Sequence, residues 1–294
     1  HRLLEKQGLA GWEKALVSKQ SRRSGFARPL AFKGDVLVTA KINELSAAAG
    51  RDTVAVFIHG ILGSPSQFTY LVDSLDGRYA AESLLLPGHG GTIEDFAASN
   101  MREWTDYVTA RIRRLERSYR SIILVGHSMG CLLAIQAALA RPGKIRGLLL
   151  LSAPLVIRVR SLSVIRAMTR ALGRDSGEPR DNTKAADRRF SLLAYARALP
   201  HFLELFAQSR KTRRLVGALT LPVTAVHAEN DSAVSVKSLR WYGGLENVRI
   251  ITAPESDHFH YSNEAKDALC AELRRLLLQS DEQDIRARHA DAHG

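Results

Sequence analysis

Gly126-His127-Ser128-Met129-Gly130 is the segment of this 294-residue chain with the strongest chemical signature. It lies between a buried-strand run, Ile122 to Val125, and a helical run, Cys131 to Ala140. A strand that turns at once into a helix forces the central serine into a strained backbone and leaves no room for side chains at the flanking positions, which glycine tolerates. The hydroxyl is then presented at a helix N-terminus, where the dipole favours developing negative charge. Serine is a weak nucleophile until an imidazole accepts its proton, and the imidazole needs a carboxylate to hold its tautomer. The rest of the chain must therefore supply an acid and then a histidine, each beyond the end of a later strand.

Pro222 to Ala228 reads as such a strand, and Glu229-Asn230-Asp231-Ser232 follows it. Asp231 is favoured over Glu229 because it lies further into the loop. Beyond the next strand, Val248 to Thr252, come His258 and His260; His258 follows the strand end more closely and is preferred, leaving His260 as a loop histidine. The oxyanion of an acyl-transfer intermediate needs backbone donors. His59-Gly60-Ile61-Leu62-Gly63-Ser64 directly follows the strand Thr53 to Ile58, so the amide of Ile61 can join that of Met129. His59, His227 and the His89 of Pro87-Gly88-His89-Gly90 read as structural hydrogen-bonding residues. With no H-E-x-x-H or CxxC spacing and no GKS or GKT loop, neither a metal nor another cofactor is expected.

These residues need a sheet to bring their loops together. Short β-branched runs at 53–58, 82–86, 121–126, 146–151, 222–228 and 248–252 alternate with helical patterns at 66–76, 100–118, 129–141, 236–243 and 262–279. That alternation predicts an α/β fold with a mostly parallel central sheet flanked by helices. The stretch 155–217 breaks the rhythm with helical periodicity alone, and reads as a small helical cap inserted into a core made of 53–154 and 218–279. It carries fourteen Lys/Arg against five Asp/Glu, or +9 of the chain's formal +12. Residues 1–52 form an N-terminal extension in which Leu3, Leu4, Trp12, Leu16 and Val17 are interspersed with lysines and arginines. A helix packed on the body is favoured there over one lying on a membrane. Residues 280–294 are polar and expected to fray.

At its motifs the chain resembles the bacterial carboxylesterase and monoacylglycerol lipase group of α/β-hydrolases. The likeness covers roughly 53–279: His59-Gly60 to Ser64, Leu86 to Gly90 with Trp104, Gly126 to Gly130, Ser152-Ala153-Pro154, Asn230-Asp231 and Asp257-His258. The resemblance implies a triad at Ser128, Asp231 and His258, oxyanion amides at Ile61 and Met129, and a cap over the acyl pocket at 155–217. It implies hydrolysis of short to medium acyl esters or monoacylglycerols, without a cofactor. The group often has glycine where Cys131 stands, and a small residue opens its aspartate loop where this chain has His227-Ala228-Glu229.

Two further readings stay open: a thioesterase or acyltransferase using the same triad, whose anionic substrate would suit Arg158, Arg160, Arg166 and Arg170, and a non-catalytic ligand receptor or membrane-surface scaffold. Aspartate in place of Ser128 would be needed for an epoxide hydrolase or dehalogenase, which excludes those. An excess of cations, 42 Lys+Arg over 30 Asp+Glu, admits an anionic membrane surface or an acyl carrier as partner. Nucleic acid is not expected, since the basic stretch lacks aromatics that stack on bases. Cys131 and Cys270 read as core residues, not a disulfide. With no run of about eighteen apolar residues, a cytoplasmic protein is expected, in peripheral membrane contact at most. A leader or anchor ahead of His1 is left open, as is the oligomeric state.

Overall fold

The computed structural model describes residues 52–158 and 185–293, with side chains over 52–158 and 200–289. Nearly all of the N-terminal extension lies outside these residues, as do Arg160, Arg166 and Arg170 of the expected cap. The described part carries strands β1 (Thr53–Ile58), β2 (Ala80–Leu84), β3 (Ser121–His127), β4 (Ile145–Leu151), β5 (Val223–Ala228) and β6 (Val248–Ala253). Its helices are α1 (Thr69–Asp73), α2 (Ile93–Ala97), α3 (Met101–Leu115), α4 (Met129–Ala140), α5 (Ala185–Leu215) and α6 (Asn263–His293), with 3₁₀ turns at Pro65–Phe68, Val216–Ala218 and Val236–Tyr242.

All neighbouring strands pair in parallel, in the order β2-β1-β3-β4-β5-β6. Strands buried on both faces need apolar residues at every position, which is why they read as unbroken runs. Successive residues of β1 divide between two layers: Val54, Val56 and Ile58 join Trp104, Val108 and Ile112 of α3 and Leu132 and Ile135 of α4. Ala55 and Phe57 join Leu71 of α1 and Leu269, Leu273 and Leu276 of α6 on the other face. Each such fully buried aliphatic side chain contributes about 1.5–3 kcal/mol. The chain runs from β1 out to the edge strand β2 and returns past β1 to β3, so the winding reverses between β1 and β3. Loops leaving the carboxyl ends of those two strands diverge there and leave a crevice.

Four expected elements take a different form. β2 spans 80–84, not 82–86, because the Leu86 amide leaves the ladder to donate to Nε2 of His59 at 3.1 Å, and Pro87 has no amide to continue it. The helix expected at 66–76 divides into a 3₁₀ turn and α1, and the one at 236–243 is 3₁₀ throughout. Five-residue α2, opened by a capping box between Thr92 and Asp95, is too short for periodicity to reveal. The largest difference is at the C-terminus, where α6 continues to His293 instead of ending near 279. The polar residues there are anchored at the amino ends of the strands: Asp281 accepts from Thr53 Oγ1 at 2.9 Å and from Tyr79 OH at 2.7 Å. Asp284, 3% exposed, accepts from Ser121 Oγ at 2.6 Å. Polarity alone cannot distinguish a frayed tail from one whose carboxylates have buried donors.

Replacing Asp284 by Ala leaves the buried Ser121 hydroxyl without its acceptor, at a cost of about 2 kcal/mol. Urea denaturation should show that loss as a lower midpoint with an unchanged slope.

Candidate active site

Ser128 joins β3 to α4 with φ 50° and ψ −119°, a region that a serine occupies only when its surroundings over-determine it. The flanking glycines show what imposes it. A Cβ on Gly130 would lie 1.9 Å from the carbonyl oxygen of Ile58, and one on Gly126 would lie 2.7 Å from Cα of Cys131. The start of α4 is thus packed directly on the end of β1. The loop after β1 follows the same course: a Cβ on Gly60 would fall 3.0 Å from Cβ of Ser128. This sets the Gly60-Ile61 segment against Ser128. Met129 is the first residue of α4, so its amide has no acceptor within the helix.

The carboxyl ends of β5 and β6 carry the partners. In the loop after β5, Oδ1 of Asp231 accepts from the amides of Ala233 at 2.9 Å and Val234 at 2.7 Å, which orients the carboxylate. Its Oδ2 accepts from Nδ1 of His258 at 2.9 Å, and Nε2 of His258 stands 3.0 Å from Oγ of Ser128. With Nδ1–H committed to the carboxylate, Nε2 carries the lone pair that can take the serine proton. Ser128, Asp231 and His258 are 6%, 2% and 3% exposed. Burial would raise the Asp231 carboxyl, but the hydrogen bond and charge of His258 and the Val234 amide outweigh it and hold the pKa at about 2.

The competing residues are placed elsewhere. His260 is exposed and pairs with Asp257 at 3.2 Å, while Glu229 accepts from the amide of Glu255 at 2.9 Å. His59 bridges two loops, donating from Nδ1 to the Gly60 carbonyl at 2.8 Å and accepting from Leu86 at Nε2. His89 donates to the Pro87 carbonyl at 3.1 Å and packs edge-on against Phe96 and Trp104. His227 is buried in β5. Cys131 and Cys270 are free, and the Cys131 thiol donates to the Gly126 carbonyl at 3.1 Å.

Sequence reasoning did not single out His127. Its Nε2–H donates to the backbone carbonyl of His258 at 2.7 Å, so the residue before Ser128 grips the loop that presents the imidazole. The only signal was a polar residue at the end of an apolar strand. A groove of about 530 Å³ runs along this flank, walled by Tyr70, His127, Leu151, Phe259 and Tyr261; Ser128 does not line it. Among the described residues, no grouping of three His, Cys, Asp or Glu side chains could hold a metal ion.

A hydroxyl, an acid and an imidazole follow β3, β5 and β6 in that order along the chain. Residues 55–272 match the model of the Alpha/beta hydrolase family. The chain belongs to this family. Among solved structures, one from the metagenome-derived lipolytic enzymes LipS and LipT is similar with a TM-score of 0.60 at 22% identity, covering 78% of this chain and 94% of that one. A monoacylglycerol lipase from Paleococcus ferrophilus is similar with a TM-score of 0.54 at 17% identity, covering 76% and 93%. At such identities the likeness is one of fold. Among curated proteins, the dihydrolipoyllysine-residue acetyltransferase component of the acetoin cleaving system of Cupriavidus necator is 33% identical over 103 residues, which is 35% of this chain and 27% of that protein. This hydrolase-family chain therefore spans about a quarter of that relative's length.

Three buried imidazoles surround the site in neutral form. Burial, then the neighbouring His89, holds His59 well below 6.5; burial likewise lowers His89 and His127 to about 4. Above about pH 6.5 the folded and unfolded chains are alike at these groups. As pH falls from 6.5 towards 4, the unfolded chain takes up protons that the folded one refuses. Stability should therefore fall across that window by up to about 1.4 kcal/mol per pH unit for each imidazole. Urea denaturation at pH 7 and pH 5 checks the sign: greater stability at pH 5 would contradict neutral burial.

Proposed function

We propose that this chain is a serine hydrolase that cleaves carboxylic esters, of short to medium acyl chains or of monoacylglycerols, through an acyl-enzyme on Ser128. The observation that carries the reading is the unbroken chain of contacts from Asp231 Oδ2 through His258 to Ser128 Oγ, at 2.9 and 3.0 Å. His258 takes the hydroxyl proton at Nε2 as Oγ attacks the acyl carbon. The oxyanion is received by the amides of Ile61 and Met129, next to the positive end of the α4 dipole. Collapse expels the alcohol, protonated by His258; water then repeats the sequence and frees the acid. Asp231 stays ionised throughout and stabilises the imidazolium.

Apolar neighbours suit an acyl chain. Ile61, Met129, Leu155 and Leu205 are buried in the cluster on the face where α4 begins. A thioester of coenzyme A or of an acyl carrier would use the same triad. Exposed Arg158, whose amide donates to the Ala233 carbonyl two residues past Asp231, is the feature that suits it. Strong suppression by salt of thioester but not neutral ester cleavage would favour that substrate. A receptor or scaffold has no need of three groups held in catalytic register.

Hydrolysis of p-nitrophenyl esters of graded length, compared between the native chain and Ser128→Ala, tests the reading. The expected loss is about 10³-fold or more in kcat with a chain-length optimum; equal background rates and no labelling by an organophosphonate would leave only the receptor reading. His127→Ala should lower kcat about 10- to 100-fold with KM little changed, because the imidazole loses its alignment. His127→Gln, whose side-chain amide can donate to the same carbonyl, should recover part of the loss.

A further inference from the structure

Ester chemistry leaves one broad surface without a task. From Leu205 to Leu245 the sequence holds six Lys/Arg and only two acids, Glu229 and Asp231. Asp231 is buried against His258, and Glu229 is bonded to the Glu255 amide. Arg210, Lys211, Arg213 and Arg214 come from the end of α5, and Lys237 and Arg240 from the 3₁₀ turn Val236–Tyr242. No ion pair among the described residues joins any of the six to a carboxylate. The two elements form one surface: the guanidinium groups of Arg213 and Arg240 lie 5.1 and 5.8 Å from the ring of Trp241, which they flank together.

The arrangement is regular. Helical spacing puts Leu203, Ala207, Arg210, Lys211 and Arg214 on one face of α5, and all five are exposed. His201, Leu205, Ser209 and Thr212 occupy the opposite, buried face. Leu203 is 65% exposed, and Val236, beside Lys237, is 53% exposed. Crowded like charges repel one another, and an anionic partner relieves that repulsion.

We propose that this surface, the exposed face of α5 with the turn Val236–Tyr242, docks the protein on an anionic phospholipid bilayer. Cations beside isolated exposed aliphatic residues suit the headgroup boundary, which accepts both at one depth. Single-stranded nucleic acid would need an open aromatic platform, and Trp241 is half-buried and flanked by two guanidinium groups. The acid loop adjoins the surface: the Val156 amide donates to Oγ of Ser238 in the same turn, and the Arg158 amide donates to the Ala233 carbonyl. The proposal deepens the ester-hydrolase reading, since an apolar acyl ester is itself dissolved in such a bilayer.

The test is sedimentation of the full chain with vesicles of phosphatidylcholine alone and of phosphatidylcholine mixed with phosphatidylglycerol. It compares the native protein with the triple variant Arg210→Ala, Arg214→Ala, Lys237→Ala, and assays a water-soluble short-chain ester in parallel. Binding to the anionic vesicles only, weakened by salt and about 100-fold weaker in the variant, is expected at about fivefold per cation, with soluble-ester hydrolysis unchanged. Equal binding by the two proteins would overturn it, as would no preference for anionic vesicles. So would capture by an acidic acyl carrier protein in place of vesicles. Vesicle binding in the expected pattern without soluble-ester hydrolysis would sink the ester reading and leave the docking surface standing.

Discussion

The site depends on how closely the start of α4 approaches the end of β1. At Gly130 a single added carbon would stand 1.9 Å from the Ile58 carbonyl oxygen, so no other residue lets helix and strand meet. That contact presses Ser128 into a positive φ, a strain of about 1–3 kcal/mol that only a rigid frame sustains. The frame is the parallel sheet, whose central strands are covered on both faces. Because the winding reverses between β1 and β3, the loop bearing Gly60 and Ile61 falls beside the serine and does not cross over it. The strain at Ser128 and the placing of the Gly60-Ile61 loop and the start of α4 beside it are therefore consequences of one packing contact.

Histidine serves two purposes around this contact, separated by the company each imidazole keeps. His258 has a carboxylate on one nitrogen and a hydroxyl on the other, so a proton arriving at Nε2 meets a compensating charge. His59, His89 and His127 have backbone groups as their principal partners, and burial keeps them neutral. A neutral imidazole can donate from one nitrogen and accept at the other, which lets His59 tie the loop after β1 to the one after β2. His127 does the corresponding task for the loop after β6. The His258 imidazole is thus set in place from behind by a second imidazole that stays uncharged.

Stability at the far end of the sheet has a different origin. There α6 buries Asp284 and brings Asp281 to Thr53 and Tyr79, fastening the amino ends of the strands with carboxylates in place of apolar contacts. Chemistry at the carboxyl ends and anchoring at the amino ends are kept apart by the length of the strands. Loops at the upper end can then differ without loosening the sheet.

By itself the sequence determined the sheet and the strand ends on which Ser128, Asp231 and His258 stand. Short runs rich in apolar and β-branched residues, alternating with helical patterns, point to a parallel sheet, and Ser128, Asp231 and His258 each follow a strand, in order. Local rules sufficed because each group is placed by the strand just before it. Other features were decided by tertiary structure. Whether His258 or His260 turns inward depends on where Asp257 finds its partners, and Asp257 takes the His260 amide and ring. The grip of His127 on His258 joins residues 131 positions apart, and no spacing rule reaches that far. The polar end of α6 looked like a tail because its partners, Thr53, Tyr79 and Ser121, lie more than 160 residues away. A polar residue's own sequence says what it can bond, and only the fold says whether a buried partner is waiting.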